Sequence, residues 1–154
     1  MEKYRQVSFE KFPESNRTAT IYEKTVGSFT LVLDSHEGKN DHGVNFRINR
    51  GEEFIAAIKS TYFPEDKQLI IEDMGTHPAY RKKGLGKLRL SEVLSFLISK
   101  GEVPQTIVAE GVDNVILGEG EKFVKALGFQ QIGNSDCWKI SFEELSKRLQ
   151  KKKC

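Results

Sequence analysis

The sequence predicts one domain of the α/β or α+β class with a β-rich N-terminal half. The chain has 154 residues, enough for one full core and too few for two ordinary domains. Leu90, Val93, Leu94, Leu97 and Ile98 follow the i, i+3, i+4, i+7, i+8 spacing of a single buried helical stripe. That helix lies between two β-prone runs, and the order strand–helix–strand–helix–strand–strand in the second half mixes both element types in one sheet.

Each element has its own signal. Residues 4–9 carry Tyr4, Val7 and Phe9, a weak strand. Residues 18–25 and 28–34 flank Val26-Gly27 and read as a hairpin. The polar segment 35–43 predicts a turn, and 44–48 a short strand. Phe54, Ile55, Ile58 and Tyr62 stand close to helical spacing, which predicts a helix over 52–63 that Pro64 ends. Residues 68–74 predict a strand that runs through Gly75-Thr76-His77-Pro78 into the long helix. Gly101 falls just past its last turn, where a C′ glycine belongs. Residues 106–110 predict a strand. Leu117, Phe123, Val124 and Leu127 mark a helix that Gly128 can end. Residues 129–132 and 137–140 predict two short strands. Ser141-Phe142-Glu143-Glu144 is a capping box that opens a last helix carrying Phe142, Leu145 and Leu149.

Composition narrows the function. Lys and Arg number 24 against 22 Asp and Glu, a formal net charge of +2, and this balance argues against a dedicated nucleic-acid binder. With 38% hydrophobic residues the chain is too apolar for a disordered one. The longest apolar run is five residues, 54–58, against the roughly 20 that a membrane helix needs. The start, Met1-Glu2-Lys3-Tyr4-Arg5-Gln6, has no apolar core, so no secretory signal is expected. Two cysteines, Cys137 and Cys154, do not make a disulfide scaffold and suit a reducing cytoplasm.

The chemistry is concentrated in His77-Pro78-Ala79-Tyr80-Arg81-Lys82-Lys83-Gly84-Leu85-Gly86-Lys87. A strand ends, a turn follows and a helix begins. The leading N–H groups of a helix have no intrahelical partners and carry the positive end of its dipole. Gly84 and Gly86 admit a bulky anion close to the backbone, and Arg81, Lys82, Lys83 and Lys87 add charge, so the turn suits a pyrophosphate. A Walker A loop does not fit, because Arg81 stands where its first glycine belongs and Leu88 where its Ser or Thr belongs. A dinucleotide fingerprint fails at Arg89, where its third glycine belongs.

This stretch resembles motif A of the GNAT N-acetyltransferase superfamily, Arg/Gln-x-x-Gly-x-Gly/Ala, here Arg81-Lys82-Lys83-Gly84-Leu85-Gly86 after Pro78-Ala79-Tyr80. Phe123-Val124-Lys125-Ala126-Leu127-Gly128-Phe129 is similar to the family's later Phe-Tyr-x-x-Leu-Gly-Phe motif, with Val124 in place of the tyrosine. The resemblance runs from about residue 69 to 140. It implies a mixed, mostly antiparallel sheet with helices on both faces, in one N-acetyltransferase-like domain over 1–154. The CoA-binding core would span about 67–140, and 141–154 would be a C-terminal helix and basic tail. It also implies one or two helices directly after the first strand, where the residues here read as a hairpin.

The resemblance further implies an acetyl-CoA-dependent N-acetyltransferase, in which an amine attacks the thioester directly. Met74 and Thr76 would offer backbone groups to the pantetheine arm. Arg81, Lys82, Lys83, Gly84, Leu85, Gly86 and Lys87 would hold the pyrophosphate. A carboxylate would take the amine proton. Glu72 is the first candidate because it shares strand parity with Met74 and Thr76. Asp73 follows, since a bulge would exchange the two, and Glu110 is the third. Many relatives place a general-acid tyrosine at the position of Val124. Their usual asparagine would fall at Leu117, with Asn114 nearby. Acetyl-CoA is the expected co-substrate, with no metal.

The acceptor would be a small-molecule or protein amine. Glu110, Asp113, Glu119 and Glu121 would suit a cationic one, although acids also favour a helix start. No membrane partner is expected, and a homodimer is left open. His36 and His42 read as surface turn residues, His77 as a turn residue beside the site, and Cys137 as a core residue. The basic run 147–153 reads as a solvated helix end. A CoA-binding regulatory module without turnover is the alternative function. A small nucleic-acid-associated protein using the basic tail is a third, against which the charge balance argues.

The pyrophosphate reading has a direct test. Arg81→Ala is expected to weaken CoA about 10- to 150-fold, the value of a charge-assisted contact, while a pantetheine fragment without the nucleotide binds unchanged. Calorimetric titration of both ligands checks this, and equal weakening would make the turn purely structural.

Overall fold

A computed structural model describes residues 4–80, 85–111 and 119–150. Nine strands form one sheet in the order β1-β2-β3-β4-β5-β6-β7-β9-β8. The strands β1 (Arg5–Phe12), β2 (Arg17–Val26), β3 (Phe29–Glu37), β4 (His42–Arg50), β5 (Glu53–Phe63) and β6 (Gln68–Thr76) form a continuous antiparallel meander. A short 3-10 turn, Pro78–Tyr80, leads to α1 (Leu85–Ser99). Then follow β7 (Thr106–Ala109), α2 (Glu119–Ala126), β8 (Gln130–Gln131), β9 (Trp138–Ser141) and α3 (Phe142–Gln150). Among the described residues only β6 and β7 pair in parallel. The fold is the mostly antiparallel α+β arrangement expected. The hairpin turns at Gly27, and no helix intervenes between β1 and β2, so the helices that the resemblance implies after the first strand are replaced by sheet.

Two expectations for the first half are corrected. The segment 52–63 is the strand β5, not a helix. Ile48 pairs with Ala56 and Asn49 with Phe54, so Ile55 is an extra residue in a bulge. The bulge buries Ile55 and Ala56 in succession and breaks the alternation, which mimics helical spacing. Beyond it Ala56, Ile58, Ser60 and Tyr62 alternate inward as a strand requires. The predicted turn 35–43 shrinks to 38–41, closed by the Gly38 N–H to the Asp41 carbonyl at 2.9 Å. Ser35 and His42 lie in the flanking strands and are buried.

One sheet face builds the core. Leu31 and Leu33 of β3, Val44, Phe46 and Ile48 of β4, and Ala56 and Ile58 of β5 share it by register. Leu69 and Ile71 of β6 and Ile107 and Ala109 of β7 continue it. The three helices join this same cluster through Leu90, Val93, Leu94, Leu97, Val124 and Leu145. Among the described residues the helices therefore gather over one face. Ile98 departs from the predicted stripe and is exposed; its place on the buried side is taken by Arg89, which lies one and two turns before Val93 and Leu97.

Helix ends follow their sequence signals. Gly101 ends α1 with φ at 78°, and the N–H groups of Gly101 and Glu102 reach the carbonyls of Ile98 and Leu97 at 2.9 Å each. Ser141 Oγ accepts from the Glu144 N–H at 3.1 Å and caps α3. No described helix is long and apolar enough to cross a membrane. The edge strand β1 is exposed along its whole length.

The N-terminus is tied to α1 by charge. Tyr4 donates to Glu92 Oε2 at 2.9 Å, and Lys24 reaches Glu92 Oε1 at 3.2 Å. Burial and then the Glu92 carboxylate push the Tyr4 phenol well above its ordinary value. A raised folded-state pKa keeps the phenol protonated where the unfolded chain ionises. Its stabilisation is therefore complete below pH of about 10 and is lost as pH rises, at up to about 1.4 kcal/mol per unit. Tyr4→Phe is expected to flatten this alkaline loss, read as urea stability from pH 8 to 11. Parallel loss in both proteins would separate Tyr4 from it.

Candidate active site at the parting of two parallel strands

The pairing of β6 with β7 stops short. It runs from Gln68 with Thr106 to Ile71 with Ala109, and the Glu110 N–H still reaches the Ile71 carbonyl at 3.0 Å. At Gly111, φ is 62°, a conformation that side-chain-bearing residues rarely adopt. Past Ile71, β6 continues to Thr76 paired to β5 alone. Among the described residues no strand pairs with the β7-facing edge of β6 past Ile71, which leaves a slot beside the start of α1.

A second bulge sets the side chains at the slot. Ser60 pairs with Ile71 and Lys59 with Asp73, leaving Glu72 as the extra residue. The parity expected for Glu72 is therefore broken. Met74 pairs with Ile58 and packs half-buried against the core, whereas Glu72 and Asp73 both turn to the opposite face. Glu72 accepts from Thr61 Oγ1 and lies 3.8 Å from Lys59 Nζ. Asp73 has no hydrogen-bond or ion-pair partner among the described residues. It lines a cleft of about 270 Å³ together with Asp34, Asn45, Arg47, Phe54 and Gly75. Glu110 lies apart, near Cys137. The structure brings Asp73, Met74 and Thr76 to the slot and engages Glu72 with its neighbours on β5.

Arg89 was passed over in the sequence except as a break in a glycine motif. It is 4% exposed. Its guanidinium donates to the carbonyls of Ala57 at 2.8 Å and Gly75 at 2.5 Å, and to Thr76 Oγ1 at 2.8 Å. Nε reaches the Leu85 carbonyl at 3.2 Å. Burial pulls its pKa down to about 10, and every one of these partners is neutral. A charged residue in line with Val93 and Leu97 was the available signal. It fastens the first turn of α1 to the open end of β6.

The glycine turn is partly described. Arg81, Lys82, Lys83 and Gly84 lie outside the described residues; Leu85 packs half-buried against the core and Lys87 is exposed. Gly86 has a reason of its own. A Cβ there would run into the ring of Phe123 on α2. The two motifs that carry the sequence resemblance therefore meet, glycine of the first against phenylalanine of the second. Val124 beside it is buried and offers no hydroxyl. Asp113, Asn114 and Leu117 lie outside the described residues, and Glu121 pairs with Lys125 at 3.0 Å.

Other candidates resolve into structure. His42 is 2% exposed, contrary to its expected place on the surface. Its Nδ1 meets Glu102 Oε1 at 2.5 Å and its Nε2 meets Ser35 Oγ at 2.6 Å. The order Ser–His–Glu suits nucleophilic catalysis, yet Ser35 is itself 3% exposed and no substrate reaches it. Glu37 also approaches His42 Nε2, at 3.7 Å. His36 pairs with Asp34 at 2.9 Å. His77 holds the turn, its N–H on the Ile55 carbonyl at 2.7 Å and its Nδ1 accepting from Ala79 at 3.1 Å. Cys137 is half-buried at the rim, not in the core, and burial with Asp136 and Glu110 pushes its thiol up. Lys147 and Arg148 pair one turn back with Glu143 and Glu144; residues 151–154 lie outside the described ones.

Two parallel strands thus part beside the start of a helix. Residues 5–116 match the acetyltransferase (GNAT) family, a span that takes in the six-stranded half the motifs do not reach. The chain belongs to that family. Its fold is similar to that of a GNAT-family acetyltransferase from Staphylococcus aureus Mu50, with a TM-score of 0.54 at 14% identity over 65% of this chain and 68% of that one. It is also similar to the ribosomal-protein-S18-alanine N-acetyltransferase of Escherichia coli, with a TM-score of 0.50 at 14% identity over 69% and 72% of the two chains. AtaTR bound with acetyl-CoA gives a TM-score of 0.50 at 14% identity over 68% and 71%. Comparison with curated proteins gives no match.

The Gly86–Phe123 contact makes a prediction that needs no ligand. Gly86→Ala is expected to cost about 1–3 kcal/mol by overpacking, and most of that cost to vanish in a Phe123→Ala background. A double-mutant cycle of urea midpoints checks it. Additive effects would show that the ring does not set the requirement for glycine.

Proposed function

We propose that the protein is an acetyl-CoA-dependent N-acetyltransferase acting on an amine. The observation that supports this above all is the end of the β6–β7 pairing at Ile71 and Ala109, beside the start of α1, in a chain of the GNAT family. In this reading the pantetheine arm of acetyl-CoA lies in the slot, paired with backbone at Met74 and Thr76. The segment from Arg81 to Lys87 holds the pyrophosphate. The buried cation of Arg89, which meets only neutral groups, adds positive potential beneath an anionic ligand.

The acceptor amine approaches from the cleft on the other side of β6. Asp73 faces that cleft without a partner of its own and takes the amine proton, directly or through water. The nitrogen then attacks the thioester carbonyl, the C–N bond forms, and the C–S bond breaks. Water takes the second proton from the nitrogen and carries it to the departing thiolate, whose pKa of about 8–9 makes a dedicated acid dispensable; buried Val124 supplies none. This reading moves Asp73 ahead of Glu72, because Glu72 is engaged by Thr61 and Lys59. The alternative of a CoA-binding module without turnover draws on the same valine.

Thiol release from acetyl-CoA over a panel of amines tests the proposal. Asp73→Asn is expected to lower kcat by roughly 10²- to 10⁴-fold with little change in KM for acetyl-CoA, and Glu72→Gln to have a smaller effect. The Asp73→Asn deficit is expected to shrink as pH nears the amine's own pKa. CoA binding without turnover of any amine would favour the regulatory module.

A further inference from the structure

The cleft that reaches Asp73 is built from two rows of residues crossing β3 to β6. One row is Asp34, Asn45, Lys59 and Asp73; the next is Val32, Arg47, Ala57 and Gly75. The second row falls from a long side chain to a methyl and then to a bare backbone. A Cβ on Gly75 would meet nothing within 4 Å, so the floor over Ala57 and Gly75 is open space. Phe54, exposed on the same face, walls one end.

Four charges line this cleft, and two of them are already satisfied. Asp34 pairs with His36 and Lys59 with Glu72. Asp73 and Arg47 have no such partners among the described residues. One carboxylate and one guanidinium without partners among the described residues thus face the same small space, two strand spacings apart at about 4.8 Å each, with Ala57 and the Glu72-paired Lys59 on the strand between them. Such a pair does not close on itself and complements a molecule that carries both charges.

From this arrangement we infer that the acceptor is a small zwitterion, an amine that also bears a carboxylate or a phosphate. The inference rests on the acetyl-transfer reading above and adds the substrate class to it. The ammonium end lies at Asp73, beside the slot where acetyl would be delivered. The anionic end lies on Arg47, whose planar fork matches carboxylate and phosphate with two parallel hydrogen bonds. Phe54 lies against the apolar body between them. A plain alkylamine leaves Arg47 unmatched, and a diamine brings a second cation to it. Arg47 is then the residue that sets specificity, without touching the reacting atoms.

Amide chemical shifts of the full chain, titrated with β-alanine, phosphoethanolamine, propylamine and putrescine, give the test. β-Alanine or phosphoethanolamine is expected to shift the Ala57 and Gly75 amides and to bind at least about tenfold more tightly than propylamine or putrescine. Which of the two anions binds better identifies the natural group. Arg47→Gln is expected to abolish that preference, and Arg47→Lys to restore part of it. Arg47 is exposed, so the variants are expected to keep the wild-type melting temperature, which is measured alongside. Equal binding of all four compounds, or a preference unchanged in Arg47→Gln, would overturn the assignment. A parallel titration with CoA separates the two levels. Absence of CoA binding strikes the acetyl-transfer reading and the acceptor role with it, whereas CoA binding without zwitterion preference overturns only the substrate class.

Discussion

A single buried guanidinium holds the candidate site together. Arg89 enters α1 as the one charged member of an apolar stripe and ends on carbonyl and hydroxyl oxygens of β5 and β6. Taking a charge out of water is costly, and no carboxylate offsets it here. What it gains is geometric. It fixes the first turn of α1 against the stretch of β6 that has lost its β7 neighbour, so the slot and the helix start keep one spacing. The downward pull on its pKa reflects that compromise.

The rest of the site follows from where pairing fails. Parallel strands need a long crossover, and here α1 supplies it on the core face. Beyond Ile71 and Ala109 the two strands no longer pair. The bulge at Glu72 then turns two successive carboxylates to the face opposite the helices. That face carries no described helix over β4 to β6, and small residues at Ala57 and Gly75 hollow it. Slot and cleft are therefore two sides of the same short segment.

Much of this was legible in the sequence where causes are local. The α1 stripe, the C′ glycine at Gly101 and the Ser141 cap each depend on residues within one or two turns, and each is found, the stripe with Arg89 in place of Ile98. The strand β5 was misread because the Ile55 bulge shifts the phase of burial, and a bulge is set by its partner strand. Ser35 and His42 looked like turn residues because their polarity is satisfied by each other across the hairpin and by Glu102, 60 positions beyond His42. The order of preference between Glu72 and Asp73 turned on a second bulge of the same kind. Gly86 was legible as necessary, but the ring that requires it comes from a helix more than thirty residues away. Arg89 showed its burial by its phase, while its partners could not be named without the fold.

The meander has a consequence for the order of assembly. From β1 to β6 every strand pairs with its neighbour in sequence, so each hairpin closes a short loop. The pairing of β6 with β7 waits on a crossover of about thirty residues, from Thr76 to Thr106, and β9 docks on β7 only afterwards. Loop closure of that length must be met before its contacts stabilise anything. The slot between β6 and β7 therefore forms only after the meander, and a nascent chain that has emerged only through β6 presents the cleft floor over Ala57 and Gly75 before the slot exists.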